Sequence, residues 1–262
     1  MRILAITNQK GGVGKTTTCV NLAASLAATK RKVLVIDLDP QGNATTGCGI
    51  DKSKMKHTIY HVLIGDKTLR EVMQRSERGR FDVVPANREL AGAEVELVNE
   101  FARETRLKTA LAELGDGYDY ILIDCPPALN LTTVNALTAA HAVMIPMQCE
   151  YYALEGLSDL VNTIKKVRAH LNPHLEIEGL LRTLFDNRNT LAQQVSNELA
   201  QHFGDKVYRT VIPRNIRLAE APSYGVPVLL YDKASKGAKA YLALAGEIIN
   251  RHLVSNRQAA AN

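Results

Sequence analysis

The sequence has no tryptophan, an aromatic content of 5% and four cysteines among 262 residues. Cys19, Cys48, Cys125 and Cys149 show neither a paired metal-ligand spacing nor a disulfide framework. A metal-cluster carrier or reductase is therefore disfavoured, and we expect four reduced thiols in a cytosolic protein. The seven histidines also show no metal-binding spacing and are expected at the surface or in the core.

Long hydrophobic runs and a basic leader are absent as well, which predicts a soluble protein that is not exported. No glycine- or proline-rich linker divides the chain, and internal repeats are missing. The length and the hydrophobic content of 46% allow one large α/β core, so we expect a single domain over residues 1–254. The polar, alanine-rich end at 255–262 is expected to be a disordered tail.

The net charge of +5 is unevenly distributed along the chain. Acidic and basic residues nearly balance up to residue 160, and the basic excess lies beyond it. Such a bias permits a polyanionic partner, either nucleic acid or an anionic membrane surface. On charge alone, an ordinary solvated face explains the bias equally well.

What the sequence does contain is a glycine-rich loop, KGGVGKTT, between an apolar run at Ile3–Ile6 and a helical pattern at Thr16–Ala28. Glycines let backbone N–H groups close on phosphate oxygens, and the N-terminus of the following helix adds positive charge. Lys15 is expected on the β- and γ-phosphates and Thr16 on Mg²⁺. The residues assigned to phosphate binding are Lys10, Gly11, Gly12, Val13, Gly14, Lys15, Thr16 and Thr17.

This loop departs from the ordinary phosphate-binding pattern at its start. Gln9 stands where the usual motif has its first glycine, and Lys10 opens the loop as a second lysine. The segment is therefore a deviant Walker A motif.

Carboxylates follow two of the predicted interior strands. Val33–Asp37 is apolar up to Asp37 and delivers Asp37 and Asp39 to the edge of the sheet where the glycine loop lies. Tyr118–Asp124 ends in Asp124, the Walker B form, which is expected to hold Mg²⁺ through a water. The β–α alternation continues to a last helix at Lys236–Leu253 and predicts a doubly wound, mainly parallel sheet. Further strands are predicted at Phe81–Pro85, Ala142–Pro146, Gly179–Phe185 and Val207–Ile212.

Four segments in this order together resemble the ParA/Soj chromosome-partitioning ATPases: Lys10–Thr17 (KGGVGKTT), Asp37–Asn43 (DLDPQGN), Ile121–Pro127 (ILIDCPP) and Pro213–Tyr224 (PRNIRLAEAPSY). The resemblance covers nearly the whole chain. The glycine loop alone would indicate the wider deviant Walker A superfamily, which also contains MinD. The resemblance implies a P-loop NTPase fold, slow hydrolysis of ATP with Mg²⁺ and an ATP-dependent sandwich homodimer.

The resemblance also implies roles for individual residues. Lys10 would reach across the dimer to the partner's nucleotide, and Asp39 would position the attacking water and approach Mg²⁺ through a water, as Asp124 does. Pro213 and Asn215 would lie on the adenine side. The expected catalytic residues are thus Lys10, Lys15 and Asp39. The lack of an Asn/Thr-Lys-x-Asp guanine motif independently favours ATP over GTP.

The family's dimer binds double-stranded DNA without sequence preference, and a ParB-type centromere-binding partner stimulates hydrolysis. Arg188 and Arg217 fall where the family's DNA-contacting arginines lie. Phe185 and Asn189 stand where the family commonly has Tyr and Thr, and a surface ion pair is the alternative role for each arginine. The resemblance implies a cytoplasmic, nucleoid-associated protein and leaves open whether the cargo is a chromosome or a plasmid.

The main competing function is that of a MinD-like regulator of the division site, which would attach to membrane through a C-terminal amphipathic helix. Ser255–Asn262 contains no bulky apolar side chain. The preceding helix carries Tyr241, Leu244 and Ile248 but few cations on its polar face, so we expect it to pack against the sheet rather than on lipid. Membrane binding is therefore not expected.

Overall fold

The computed structural model describes the backbone of residues 1–261 and the side chains of residues 1–254. The strands are β1 (Arg2–Ile6), β2 (Val33–Asp37), β3 (Gln74–Ser76), β4 (Phe81–Val84), β5 (Tyr120–Asp124), β6 (Ala142–Met147) and β7 (Glu176–Arg182). The helices are α1 (Lys15–Ala28), α2 (Asn43–Gly47), α3 (Ile59–Leu63), α4 (Leu69–Val72), α5 (Leu90–Glu96), α6 (Arg106–Leu114), α7 (Leu131–Ala139), α8 (Ala153–His170), α9 (Thr190–Phe203), α10 (Ile216–Glu220), α11 (Val228–Tyr231) and α12 (Lys236–Ala261).

The strands form one seven-stranded sheet in the order β3-β4-β2-β5-β1-β6-β7. All neighbouring strands are parallel except β3 and β4, which are antiparallel. Asp124 at the end of β5 is in register with Ile6 of β1 and with Asp37 of β2. The carboxyl ends of three central strands therefore meet at one edge, which confirms the predicted doubly wound topology and places the glycine loop beside two carboxylates.

Hydrophobic cores lie on both faces of the sheet. Leu34 and Ile36 of β2 pack into one core, which includes residues of α5 to α9, while Val33 and Val35 pack into the other with residues of α1, α2 and α12. Alternate residues of a strand point to opposite faces, so a strand covered on both sides must be apolar throughout. This explains why the central strands read as continuous hydrophobic runs.

The helix α12 packs against the sheet, as expected. Tyr241, Leu244 and Ile248 are buried in the core that α12 shares with α1, and the hydroxyls of Thr18 and Tyr241 are 3.1 Å apart. Within the described residues, none of the helices combines the length and the hydrophobicity needed to cross a bilayer.

The predicted strand at Val207–Ile212 is wrong. The segment follows β7 with an isolated bridge between Leu180 and Val207 and with a hydrogen bond from the Ile212 N–H to the carbonyl of Arg182. The guanidinium of Arg182 donates to the carbonyl of Tyr208 at 2.6 Å. A side chain therefore occupies an acceptor in the middle of the segment, and a regular ladder does not form.

Several helix ends also differ from the sequence-based boundaries. The helix predicted from Leu90 ends at Glu96 and continues as a 3₁₀ turn, Leu97–Asn99. The helix α4 ends at Val72 because the next residues pair with β4 as the edge strand β3. The helix α12 extends past the predicted end at Leu253. Side chains beyond Val254 and the whole of Asn262 lie outside the described residues, so the division of the chain at residue 254 stays a prediction.

Candidate functional site

The glycine loop connects β1 to α1 at the carboxyl edge of the sheet. Gly12 and Gly14 have left-handed backbone conformations, with φ angles of 74° and 87°. These conformations strain residues that carry a Cβ, which explains glycine at both positions. A Cβ added at Gly11 or Gly12 would have no heavy atom within 4 Å. The space over the first half of the loop is therefore free for a ligand.

Two buried polar residues outside the motif support the loop. Asn8 accepts a hydrogen bond from the Lys10 N–H at 3.0 Å and donates to the carbonyl of Pro146 at 2.8 Å, which fastens the start of the loop to β6. Thr183 donates to the carbonyl of Val13 at 2.7 Å, which fastens the middle of the loop to the end of β7. Neither residue was predicted, although a polar residue just after a buried strand was the available signal.

Lys15 lies inside the loop that it serves. Its ammonium donates to the carbonyl of Lys10 at 3.0 Å, and the side chain is buried. Burial lowers the pKa of Lys15, and the nearby Asp124 and Asp39 oppose that shift. A partly desolvated cation surrounded by backbone N–H groups is suited to binding a polyanion such as triphosphate.

Thr16 and Asp124 form the second part of the site. The Thr16 hydroxyl donates to Oδ2 of Asp124 at 2.7 Å, and Asp124 is fully buried. Oδ1 of Asp124 has no hydrogen-bond partner among the described residues. Burial raises the pKa of Asp124 well above its ordinary value, and the charge of Asp37 raises it further. An unpaired buried carboxylate oxygen beside a threonine hydroxyl fits Mg²⁺, which binds hard oxygen ligands and retains several waters.

Asp37 and Asp39, although close in sequence, have different surroundings. Asp37 is fully buried and accepts hydrogen bonds from the N–H groups of Asp39 and Thr45, and burial raises its pKa to about 6. Asp39 is partly exposed, and its Oδ1 accepts from the Gln41 N–H at 2.9 Å. Its Oδ2 has no partner among the described residues, so Asp39 is the one with an oxygen free to bind water.

Pro213 and Asn215 lie at the same edge of the sheet, next to the end of β7. Pro213 forms a bridge with Phe185, and the Phe185 N–H donates to the carbonyl of Ile212 at 3.0 Å. Oδ1 of Asn215 is buried and has no hydrogen-bond partner in the described part of the chain. A cavity of about 250 Å³ lies nearby, bordered by Thr16 and Thr17 of α1, by α2 and by the 3₁₀ turn Ala221–Tyr224.

Comparison with known proteins identifies the family. A family model described as an AAA domain matches residues 1–177. The sporulation initiation inhibitor protein Soj of Bacillus subtilis (strain 168) is 56% identical over 247 residues, which cover 94% of this chain and 98% of that protein. The chromosome partitioning protein ParA of Caulobacter vibrioides (strain NA1000 / CB15N) is 52% identical over 263 residues, covering 100% and 98%. This chain belongs to the ParA/Soj family.

A solved structure agrees with that membership at the level of the whole fold. The crystal structure of a protein described as cobyrinic acid a,c-diamide synthase from Mycobacterium smegmatis, with bound ADP and magnesium, is 39% identical to this ParA/Soj family member. It covers 98% of this chain and 96% of its own, with a TM-score of 0.85. The family, the fold class and the ATPase activity expected from the sequence are therefore confirmed.

Lys10 forms an ion pair in this ParA/Soj chain that the sequence did not indicate. Its ammonium contacts Oε2 of Glu150, which lies in the loop after β6. The two side chains are 47% and 52% exposed. An ion pair this exposed contributes about 0–1 kcal/mol, so Lys10 is readily released toward another anion. Tyr151 and Tyr152 follow Glu150 and are 74% and 70% exposed.

Arg188 and Arg217 are both exposed and both ion-paired. Arg188 binds Asp186 with two hydrogen bonds, of 3.0 and 2.8 Å, which lower the pKa of Asp186 to about 2. Arg217 binds Glu220 at 2.8 Å and approaches Asp232 at 3.4 Å. Within the described residues, neither arginine contacts the phosphate loop. The structure therefore gives each arginine the ion pair that was the alternative to DNA binding, in a position that solvent reaches.

The structure corrects one expectation about histidine. Ligand atoms of His57, His61 and Asp66 all lie within 4.8 Å of one another, although no metal-binding spacing was recognised in the sequence. Nδ1 of His61, however, accepts a hydrogen bond from the Thr58 N–H at 3.2 Å. In the neutral imidazole the other nitrogen, Nε2, then carries the proton and is not a metal ligand. This arrangement fits a surface cluster of polar side chains.

The cysteines agree with the expectation of reduced thiols. Cys19, Cys48, Cys125 and Cys149 are all buried and free of disulfides. Burial raises the pKa of Cys125 and keeps its thiol protonated, although it adjoins Asp124. Cys125 thus behaves as a small core residue beside the nucleotide site.

Proposed function

We propose that this ATPase is a DNA-partitioning switch. ATP and Mg²⁺ close a homodimer, the dimer binds DNA without sequence preference, and hydrolysis stimulated by a ParB-type partner releases it from the nucleoid. The observation that carries the proposal is the convergence of Lys15, Thr16, Asp124 and Asp39 at one sheet edge in a chain of the ParA/Soj family. Chromosome partitioning in the cytoplasm is the cellular process that fits this family.

The convergence assigns a separate task to each residue. Lys10 to Thr17 surround the phosphates, and Lys15 neutralises the charge of the β- and γ-phosphates. Thr16, with Asp124 and Asp39 through waters, holds Mg²⁺, which neutralises charge that develops on the phosphate oxygens. The free oxygen of Asp39 orients the water that attacks the γ-phosphate. Positioning and charge neutralisation account for most of the catalysis in phosphoryl transfer.

Asn215 supports adenine as the base. Its buried Oδ1 lacks a partner in the described part of the chain and is a hydrogen-bond acceptor. Adenine presents an amino group as a donor where guanine presents a carbonyl oxygen. An unpaired buried acceptor on the loop from Pro213 to Asn215 is therefore better matched to ATP than to GTP.

The surroundings of Lys10 support a dimer that forms across the nucleotide. Lys10 is held in this chain by the exposed Glu150, and the adjacent tyrosines, Tyr151 and Tyr152, expose most of their surface. Aromatic side chains are enriched in protein interfaces. A second copy of the chain would cover this surface, while triphosphate in the partner would compete with Glu150 for the ammonium of Lys10.

The charge distribution supports DNA as the polyanionic partner. Arg188 is 90% exposed, and phosphate can replace the carboxylate in an ion pair of that kind at little cost. Arg217 approaches Asp232, and three exposed lysines follow on the same segment without an ion pair among the described residues: Lys233, Lys236 and Lys239. Pairing two copies doubles the phosphate contacts, so binding would depend on the dimer.

The alternative, a MinD-like membrane-associated regulator, needs an apolar helix face that is free for lipid. Tyr241, Leu244 and Ile248 of α12 are buried in the core. Up to Val254, the described side chains of α12 therefore supply no such continuous face, and we retain DNA as the proposed partner.

DNA binding in defined nucleotide states tests the proposal. Gel-shift titrations would use two unrelated duplexes with a slowly hydrolysed ATP analogue, with ADP and without nucleotide, alongside sedimentation with anionic liposomes. We expect both duplexes to bind equally, and only in the presence of the ATP analogue. Equal DNA affinity in all three states would refute the switch, and binding to liposomes but not to DNA would favour the MinD-like alternative.

A further inference from the structure

Thr45, in α2, joins two neighbouring strands beneath the nucleotide site. It is fully buried, and its N–H and hydroxyl both donate to Oδ2 of Asp37, at 2.8 and 2.7 Å. The oxygen of the same hydroxyl accepts a hydrogen bond from the Ala86 N–H at 2.9 Å. The hydroxyl of Thr45 thus links Asp37, at the end of β2, to the chain that leaves β4.

Asp37 in turn holds the loop that carries Asp39. Oδ1 of Asp37 accepts the Asp39 N–H at 3.1 Å. The Gly42 N–H donates to the carbonyl of Asp39 at 2.8 Å and closes the loop as a tight turn. The orientation of the Asp37 carboxylate therefore determines where the backbone of Asp39 lies, and Thr45 contributes two of the hydrogen bonds that fix this carboxylate.

Ala86 also contacts the same loop directly. Gly42 has a φ of 60°, and a Cβ added there would lie 2.6 Å from the carbonyl oxygen of Ala86. The N–H of Ala86 binds Thr45 while its carbonyl packs on Gly42, so the residue after β4 supports both ends of the turn. Movement of Ala86 or of Asp37 would therefore be transmitted to Asp39.

We propose that Thr45 is a positioning residue for ATP hydrolysis. Its hydroxyl couples Asp37 to Ala86 and thereby holds Asp39 where that residue orients the attacking water. The inference rests on the role of Asp39 in the proposed function. Thr45 does not approach the phosphates through its hydroxyl, since that group is used within the protein, and it acts on the rate of hydrolysis rather than on nucleotide affinity.

The test compares four variants of the full-length protein. Thr45→Val keeps the shape and removes the hydroxyl, and Thr45→Ser keeps the hydroxyl. Thr138→Val is the matched control because Thr138 is also buried, while its hydroxyl has no partner in the described part of the chain. Asp39→Ala serves as the reference for lost hydrolysis. The measurements are kcat, KM for ATP and the fraction of ATP-bound dimer at steady state.

A displaced catalytic group costs up to about 100-fold in rate, so we expect kcat of Thr45→Val to fall by about 10- to 100-fold. KM should stay within about threefold, which separates loss of positioning from loss of binding. Thr45→Val should also accumulate more ATP-bound dimer than the wild type, as Asp39→Ala does, whereas a merely unstable protein would accumulate less. Thr45→Ser and Thr138→Val should hydrolyse ATP at nearly the wild-type rate.

The outcomes separate this inference from the proposed function. Wild-type kcat in Thr45→Val, or a loss confined to KM, would overturn the role of Thr45 if Asp39→Ala still traps the dimer. Wild-type turnover in Asp39→Ala would instead refute the role of Asp39, and the inference with it. If Thr45→Val does not fold, Thr45→Ala is compared with Thr45→Ser, because the two differ by the hydroxyl alone. Failure of both hydroxyl-free variants to fold would make Thr45 a structural residue and overturn the proposal.

Discussion

The hydroxyl of Thr16 donates to Oδ2 of Asp124 at 2.7 Å, although 108 positions separate the two residues in the sequence. The parallel pairing of β1 with β5 makes this contact possible, since Ile6 and Asp124 are in register and both strands end at the same edge. The other oxygen of Asp124 is buried and has no partner within the described residues. The site therefore contains a carboxyl group that is costly to bury and whose benefit appears when Mg²⁺ is bound.

The first prediction concerns stability against function at Asp124. Asp124→Asn should abolish Mg²⁺-stimulated hydrolysis and yet stabilise the protein without nucleotide by about 1 kcal/mol at pH 8. The folded-state pKa of Asp124 is raised, so the native carboxyl favours its proton and becomes destabilising relative to the amide as the pH rises. Thermal unfolding at pH 6 and pH 8 without Mg²⁺ measures the difference. Asp116→Asn, at an exposed position, is the control, and Mg²⁺-stimulated turnover that survives in Asp124→Asn would contradict the assignment.

The second prediction separates the two lysines of the phosphate loop. Lys15→Ala should reduce ATP affinity by more than about 100-fold because a buried cation inside the loop is lost. Lys10→Ala should bind ATP nearly normally but fail to form the closed dimer, because Lys10 lies on the surface and contacts Glu150 in its own chain. Nucleotide titration and sedimentation with a slowly hydrolysed analogue distinguish these effects, with Lys108→Ala as an exposed control. A Lys10→Ala protein that dimerises normally would remove the role in the partner's site.

The third prediction concerns the two exposed arginines. Arg188→Glu or Arg217→Glu should weaken binding to all duplexes about equally and leave ATP-dependent dimerisation intact. Each phosphate contact that is lost should make the slope of log affinity against log salt shallower by about 0.9. Arg75→Glu is the matched control because Arg75 is also half-exposed and ion-paired, with Asp82 at 2.8 Å. An unchanged salt slope in both variants, or an equal loss in Arg75→Glu, would mean that the arginines serve the surface ion pairs alone.

Much of this site is predictable because local pattern determines it. Asp37 and Asp124 each end a continuous apolar run, and interior parallel strands must deliver their last residues to one edge. The conformations of Gly12 and Gly14 follow equally from residue type. Consequently the loop, the strands and the carboxylates could be placed together before any contact was known.

The contacts that complete the site depend on tertiary packing and carry no local pattern. Thr45 acts through Ala86, Thr183 acts through Val13, and Glu150 pairs with Lys10 across 140 positions. Threonine and glutamate at such positions are common on any surface or helix. The failed strand at Val207–Ile212 has the same origin, because its β-forming residues are overridden by the side chain of Arg182.

The last prediction concerns a buried ion cluster at the opposite edge of the sheet, which joins α12 to β1 and β7. Glu178 accepts hydrogen bonds from Arg2 and from Nε2 of His252, each at 3.0 Å, and Nδ1 of His252 lies 3.0 Å from the hydroxyl of Tyr120. Burial alone would raise the pKa of Glu178, but the hydrogen bonds and charges of His252 and Arg2 bring it down to about 2. The carboxylate is therefore a fixed anion at neutral pH.

Because this pKa lies below the ordinary value of 4.5, the ionised Glu178 stabilises the fold above pH 4.5, and that contribution disappears as the pH falls toward 2. We expect Glu178→Gln to lower the free energy of unfolding by up to about 3 kcal/mol at pH 7, with the difference from wild type shrinking steadily below pH 4.5. Urea unfolding at pH 7, 5 and 3 measures it. Glu176→Gln, which removes the half-exposed partner of Arg2, should cost less than about 1 kcal/mol. A loss at Glu178 that stays constant with pH, or an equal loss at Glu176, would show that burial of the side chain rather than its charge holds α12 in place.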